Sequence, residues 1–165
     1  VYDNGLMEGT SATTFAPTLT TTRSMVTTIL WRAEGQPQTD NTVSYPDVEA
    51  DTWYTEAICW GTEEGIVKGY GDGNFGPNDL ITREQFATIL YRYAQYKGYD
   101  VSASDDLSAF PDADQTGSWA VDAVKWAVGS GLLNGKDGGL LDPLGVASRA
   151  EVATILMRFM ENIAE

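Results

Sequence analysis

Three arginines carry the chemistry that this sequence offers most plainly. Arg23, Arg83 and Arg149 each follow a hydroxyl residue (Thr22, Thr82, Ser148), and they stand 60 and then 66 residues apart. A guanidinium can hold a carboxylate through two parallel hydrogen bonds. A threonine or serine just ahead of it marks a helix start, where free backbone N–H groups and the positive end of the helix dipole favour the same anion. The position therefore suits capture of an anionic ligand. It equally suits an internal role, in which the arginines pair with Asp47, Asp112 or acids at the helix starts and hold parts of the chain together.

Composition narrows the chemistry further. Ten Lys+Arg against 24 Asp+Glu give a formal charge of −14, a balance that repels nucleic acid and anionic membrane. With no histidine and one cysteine, the commonest general base and metal ligand are missing and no intrachain disulfide can form. Cys59, within Ala57-Ile58-Cys59-Trp60, reads as a small core residue. Asp72-Gly73-Asn74 lacks the further acids and the closing glutamate of a calcium loop. The remaining acids are scattered, with no repeated pair to serve as a glycosidase dyad. Neither catalysis nor a metal or other cofactor is expected, and no stretch is apolar enough to insert into a membrane.

The elements that position the arginines come from a repeated unit. Gly65-Ile66-Val67-Lys68-Gly69-Tyr70 and Phe75-Gly76-Pro77 lead to Thr82-Arg83 and then Ile89-Leu90-Tyr91-Arg92. Gly5-Leu6-Met7-Glu8-Gly9, Phe15-Ala16-Pro17, Thr22-Arg23 and Ile29-Leu30-Trp31-Arg32 match it upstream. Gly131-Leu132-Leu133-Asn134-Gly135, Leu141-Asp142-Pro143, Ser148-Arg149 and Ile155-Leu156-Met157-Arg158 match it downstream. A front half, Tyr45-Pro46-Asp47-Val48 with Trp53 and Trp60, recurs as Phe110-Pro111-Asp112-Ala113 with Trp119 and Trp126. Copy one lacks that half, so its opening helix is expected upstream of Val1, and the chain reads as a fragment or mature segment.

Each unit reads as helix, glycine-rich loop, helix. Trp53, Ala57, Trp60 and Gly61 fall on one helical face. Thr82 with Gln85, and Ser148 with Glu151, are spaced as capping boxes; Thr22 with Met25 leaves copy one's box incomplete. Phe86, Ile89, Leu90 and Tyr93, matched by Val152, Ile155, Leu156 and Phe159, form the apolar stripe of the second helix. Gly35 and Gly98 are placed to end two of these helices. Units of this size bury little surface alone, so the copies are expected to share one core with the capped helices packed together. The expected units are 1–35, 45–98 and 110–165, one domain joined by the polar linkers 36–44 and 99–108.

Phe/Tyr-x-Asp-Val, then Trp, then Gly-Ile-x-x-Gly-Tyr-x-Asp-Gly-x-Phe-x-Pro, then Ile-Thr-Arg resembles the S-layer homology (SLH) repeat. The likeness covers nearly the whole chain apart from the linkers. It implies a mainly α fold, a pseudo-threefold bundle of three helix-loop-helix repeats with grooves between neighbours. It also implies a secreted module on a bacterial cell wall that binds a secondary cell wall polymer, through a pyruvylated N-acetylmannosamine. A protein-interaction or self-assembly module is the alternative, a spacer that has lost wall binding a third, and the oligomeric state is open.

A pyruvylated sugar presents a carboxylate, hydroxyls and an apolar ring face. The resemblance directs the first to Arg23, Arg83 and Arg149, with the surface around Arg83 the most complete. Trp53 and Trp119 are open to two readings, core residues or an apolar wall for the sugar. Gly69 and Gly135 either admit a ligand close to the backbone or serve turn geometry. Asp47 and Asp112 either cap a helix or touch ligand.

Overall fold

The computed structural model describes residues 20–40, 45–136 and 138–164. The copy-one segments Gly5–Gly9 and Phe15–Pro17 lie outside them. Five α-helices form: α1 (Arg23–Ala33), α2 (Thr55–Glu63), α3 (Arg83–Lys97), α4 (Val121–Gly129) and α5 (Arg149–Asn162), with a 3₁₀ turn at Ala113–Gln115. No strand is present among the described residues, so the fold is mainly α as the repeat pattern predicts. None of these helices is long and apolar enough to cross a membrane.

Helices α1, α3 and α5 begin alike because each is capped alike. Thr22, Thr82 and Ser148 accept from the N–H three residues on. Gln85 and Glu151 return the bond to the capping N–H. Copy one corrects the sequence expectation: its box closes, because the Met25 thioether accepts from Thr22 N at 3.3 Å. Sulfur is a weak acceptor but reaches the same place on a side chain of similar length. Gly98 ends α3 in the left-handed region, φ 74°.

The capped starts meet in a closed ring. Isolated bridges join Thr22 to Leu80, Thr82 to Val146, and Ser148 to Thr20. These are equivalent pairs taken in turn from copies one and two, two and three, three and one, which gives the pseudo-threefold arrangement. Ile81 N donates to Thr21 O and Ala147 N to Ile81 O at 2.8 and 3.0 Å along the ring. Among the described residues, two capped helices lie against the opening helix of the next copy, α1 on α2 and α3 on α4. The capped helices thus converge at their N-termini instead of packing along their lengths. Gly61 is one reason: a Cβ there would stand 2.8 Å from Val67 and 3.3 Å from Thr27, so α2 needs its absence to approach α1.

One apolar cluster runs through all of this, including Val26, Leu30, Ile58, Trp60, Phe86, Leu90, Val124, Trp126, Val152 and Leu156. Cys59 is buried. Trp53 departs from the expected helical face. Helix α2 starts only at Thr55, whose hydroxyl accepts from Thr52 N. Trp53 precedes it, 56 % exposed, edge-on against Tyr54.

Candidate functional site

Asp47 and Asp112 act before the arginines do, and not as helix caps, one of the two expected roles. Asp47 accepts from Phe75 N and Gly76 N at 2.9 and 2.8 Å. Asp112 accepts from Leu141 N and Asp142 N, both at 2.8 Å. Each carboxylate ties the front of its repeat to the far end of that repeat's glycine-rich loop. Neither caps a helix through its side chain; Asp112 stands at the start of the 3₁₀ turn without such a bond. The N–H of Leu141, then that of Asp142, hold the Asp112 carboxyl below the usual carboxylate range, against the opposing effect of burial.

The glycines serve the same clamp. A Cβ on Gly69 would meet Asn74 O at 2.7 Å and the Tyr45 ring at 2.8 Å, and one on Gly135 would meet the Phe110 ring at 2.9 Å. The aromatic that opens each front half therefore sits on the loop glycine. Close approach is what these glycines allow, and the neighbour is internal. Asp72 accepts from Asn74 N, closing the loop tip on itself.

The loop so fixed becomes a cradle for the arginine of the preceding copy. Arg23 Nε donates to Phe75 O at 3.0 Å and Nη2 to Lys68 O at 2.8 Å. Arg83 Nε donates to Leu141 O at 3.0 Å and Nη2 to Asn134 O at 2.7 Å. The two are equivalent atom by atom. Both side chains, and Arg149, are buried to 5 or 6 % exposure. Buried guanidinium held by carbonyls is a structural tie between copies. It also fixes where the remaining edge of each fork points.

A groove opens beside each. The first, about 270 Å³, is lined by Arg23, Lys68–Tyr70, Gln85, Thr88, Ile89, Arg92 and Trp119. The second, about 700 Å³, is lined by Arg83, Leu132–Lys136, Ala150, Glu151, Thr154, Ile155 and Arg158. Apart from Trp119, every residue lining the first has its repeat equivalent lining the second. All three copies build the first: Arg23 from copy one, loop and α3 from copy two, Trp119 from copy three. Trp119 is 55 % exposed before α4, so it is not core. Its ring lies over Gly117, whose N–H donates to the buried Glu84 carboxylate at 2.9 Å, which ties this turn to α3. Trp53 is its equivalent in copy two and lines neither groove.

Charge separates the two grooves. In the second, Arg83 Nη1 meets Glu151 Oε2 at 2.7 Å and Lys136 meets Asp142 at 2.8 Å. With the Asn134 amide oxygen turned towards it, Arg158 donates to that oxygen at 3.1 and 3.3 Å. In the first groove, Arg23 and Arg92 make no ion pair among the described residues. Tyr70 and Phe75 cover the Arg23 guanidinium, 4.7 and 4.8 Å from ring centroids. Burial lowers the pKa of Arg23 and of Arg92, and repulsion from Arg23 lowers Arg92 further. Both stay charged at any ordinary pH.

The sequence reading missed Arg92, Gln85 and Thr88. Their signal was the spacing 85, 88, 89, 92, one stripe of α3, beside the apolar stripe that drew attention instead.

A helical domain of repeats closed into a ring, with cation-lined grooves between copies, defines a class of repeat-built binding module. The S-layer homology domain profile matches residues 44–87 and 109–153, and the chain belongs to that family. It is 31 % identical over 164 residues to an endoglucanase of Bacillus sp. (strain KSM-635), covering 99 % of this chain and 17 % of that protein. It is 30 % identical over 166 residues to the surface-layer 125 kDa protein of Lysinibacillus sphaericus, covering 99 % and 14 %. A cellulosome-anchoring protein of Acetivibrio thermocellus is 27 % identical over 134 residues, covering 81 % and 30 %. The chain thus spans less than a third of these relatives, and the endoglucanase's catalytic name is that protein's. Family and relatives place the chain at the bacterial cell surface, as a secreted module.

Proposed function

We propose that this chain anchors its parent protein to the cell wall by holding an acidic secondary wall polymer in the groove between Arg23, Arg92 and Trp119. The relatives named for a surface layer and for anchoring support that role. One observation carries the choice of groove: two guanidiniums that make no ion pair among the described residues line one cavity in a chain of charge −14. Mutual repulsion at such a pair is relieved by an anion. A pyruvylated aminosugar fits the lining. Its carboxylate meets the arginines, its hydroxyls meet Gln85 and Thr88, and its ring face meets Trp119. The Arg83, Arg149 and Trp53 positions would serve further grooves, and Asp47, Asp112, Gly69 and Gly135 keep the loops in shape. The test is co-sedimentation with purified walls, before and after acid removal of the secondary polymer. Binding that survives removal would reject the polymer as ligand.

The interaction-module reading draws on Met157 and Met160, 46 and 45 % exposed on α5, the second where the equivalent Ala94 of α3 is buried. Light scattering across concentration, with no glycan present, separates it: self-assembly should then appear unaided.

A further inference from the structure

Two pseudo-equivalent guanidiniums sit in matching backbone cradles and differ in what meets the third edge of the fork, besides the two rings that cover Arg23. Arg83 Nη1 meets Glu151 at 2.7 Å, across from the next copy's capped helix. At the matching position the Arg23 groove is lined by Gln85, which carries no charge; its side-chain oxygen is taken up by the capping Thr82 N–H at 3.0 Å and its side chain also bonds Tyr70. Gln85 and Glu151 hold the same place, three residues after the capping hydroxyl, and both close a capping box. At this position the two grooves therefore differ by one charge, and either residue fulfils its backbone role.

We infer that this position is a charge gate for each groove. The Glu151 carboxylate occupies the seat a ligand carboxylate would take on Arg83, and Gln85 leaves the matching seat on Arg23 open. The Arg23 groove accepts an anionic glycan end. The Arg83 groove, with Lys136 also neutralised by Asp142, rejects one and admits at most an uncharged stretch of chain. The identity of the sugar rests on the anchoring function proposed above; the gate itself concerns any small carboxylate. Its physical basis is that a ligand carboxylate entering the second groove must displace an existing charge-assisted bond and stand beside a like charge.

The two residues can be exchanged within existing precedents, since Gln85 shows that glutamine supports the box and Glu151 shows that glutamate does. The probe is sodium pyruvate, titrated into the whole chain while the arginine guanidinium resonances are followed by NMR. Arg23 and Arg92 should respond and Arg83 should not. Glu151→Gln should bring in Arg83. Gln85→Glu should silence Arg23 and weaken a synthetic pyruvylated N-acetylmannosamine by at least about tenfold, as a like charge within a few ångströms requires. Arg83 responding as strongly as Arg23 in the wild type, no arginine responding at all, or Gln85→Glu leaving affinity intact would overturn the gate. Should Glu151→Gln fail to fold, Gln85→Glu and the wild-type contrast still decide. Wild-type chain that ignores cell walls yet keeps the arginine selectivity for pyruvate would sink the anchoring function and spare the gate. Wall binding untouched by Gln85→Glu would do the reverse.

Discussion

Arg23 and Arg83 each follow a capping threonine, share the same helix position and donate to equivalent pairs of carbonyls, yet they face different electrostatic problems. Arg83 is completed inside the protein by Glu151. Arg23 is covered by two aromatic rings, feels Asp79 and Asp47 without pairing with either, and shares its groove with a second arginine. Repetition thus fixed the scaffold, while single substitutions around it (Gln85 for glutamate, Tyr70 for lysine) set what each groove can do. Internal ties and ligand seats are therefore not alternatives at these positions. Two edges of each guanidinium hold the repeats together, and the third is either spent or available.

The largest effect that tests this contrast is on stability. Arg83→Ala should cost about 3 kcal/mol, because it strands two carbonyls and an acidic partner. Arg23→Ala strands only carbonyls and should cost about 2 kcal/mol. Urea unfolding of both variants measures the difference. Equal costs would mean that the Glu151 pair contributes nothing net, and that it is open to a competing carboxylate.

That comparison could not have been drawn from the sequence alone. The period exposed the helix starts, the caps and the three arginines, because these depend on local spacing. It could not say that each arginine crosses to the next copy's loop, since that follows from ring closure between residues more than 40 positions apart, Arg23 with Lys68 and Phe75. For the same reason Arg83 looked the fuller site: its repeat matches the SLH pattern most completely, but its partner, Glu151, belongs to a different repeat. Capping is one of the two roles the sequence offers for Asp47 and Asp112, because a proline-aspartate pair before a helix looks local, while their N–H donors lie 28 to 30 residues away. Trp53 and Trp119 obeyed helical periodicity with the residues after them, yet the helices begin beyond them at Thr55 and Val121.

Next in size is the aromatic wall. Trp119→Ala should weaken pyruvylated aminosugar binding about tenfold, the scale of one lost aromatic contact. It should change stability by no more than about 0.5 kcal/mol, because the ring is largely exposed. Trp53→Ala should leave affinity at the Arg23 groove unchanged. Calorimetry on the two variants reads this directly. Equal losses would place the ligand somewhere other than the groove that Trp119 lines.

The loop clamps should separate with pH. The folded-state carboxyl of Asp112 titrates below its ordinary value of 3.8, chiefly through the Leu141 N–H. A depressed carboxyl stabilises the fold above its unfolded pKa and loses that contribution as pH falls through the folded one. Asp112→Asn should therefore lower the urea midpoint at pH 7, and the gap to wild type should narrow below about pH 4. A gap that stays constant to pH 2 would assign the variant's loss to packing and not to the charged bonds that hold the Arg83 cradle.

The smallest effect lies at the third member of the gate position. Met25, Gln85 and Glu151 occupy it in turn, apolar, polar and charged, and all three close the box. A thioether accepts a hydrogen bond more weakly than an amide oxygen does. Met25→Gln should therefore raise stability by about 0.5 kcal/mol, a fraction of one neutral hydrogen bond. The change leaves charge alone, so pyruvate binding at Arg23 should not move. A gain in stability together with unchanged pyruvate affinity would show that any good acceptor serves the helix start and that the Arg23 groove answers to its own gate residue, Gln85. Loss of pyruvate binding in Met25→Gln would instead show that the starts of the capped helices communicate around the ring, and the gate could no longer be argued groove by groove.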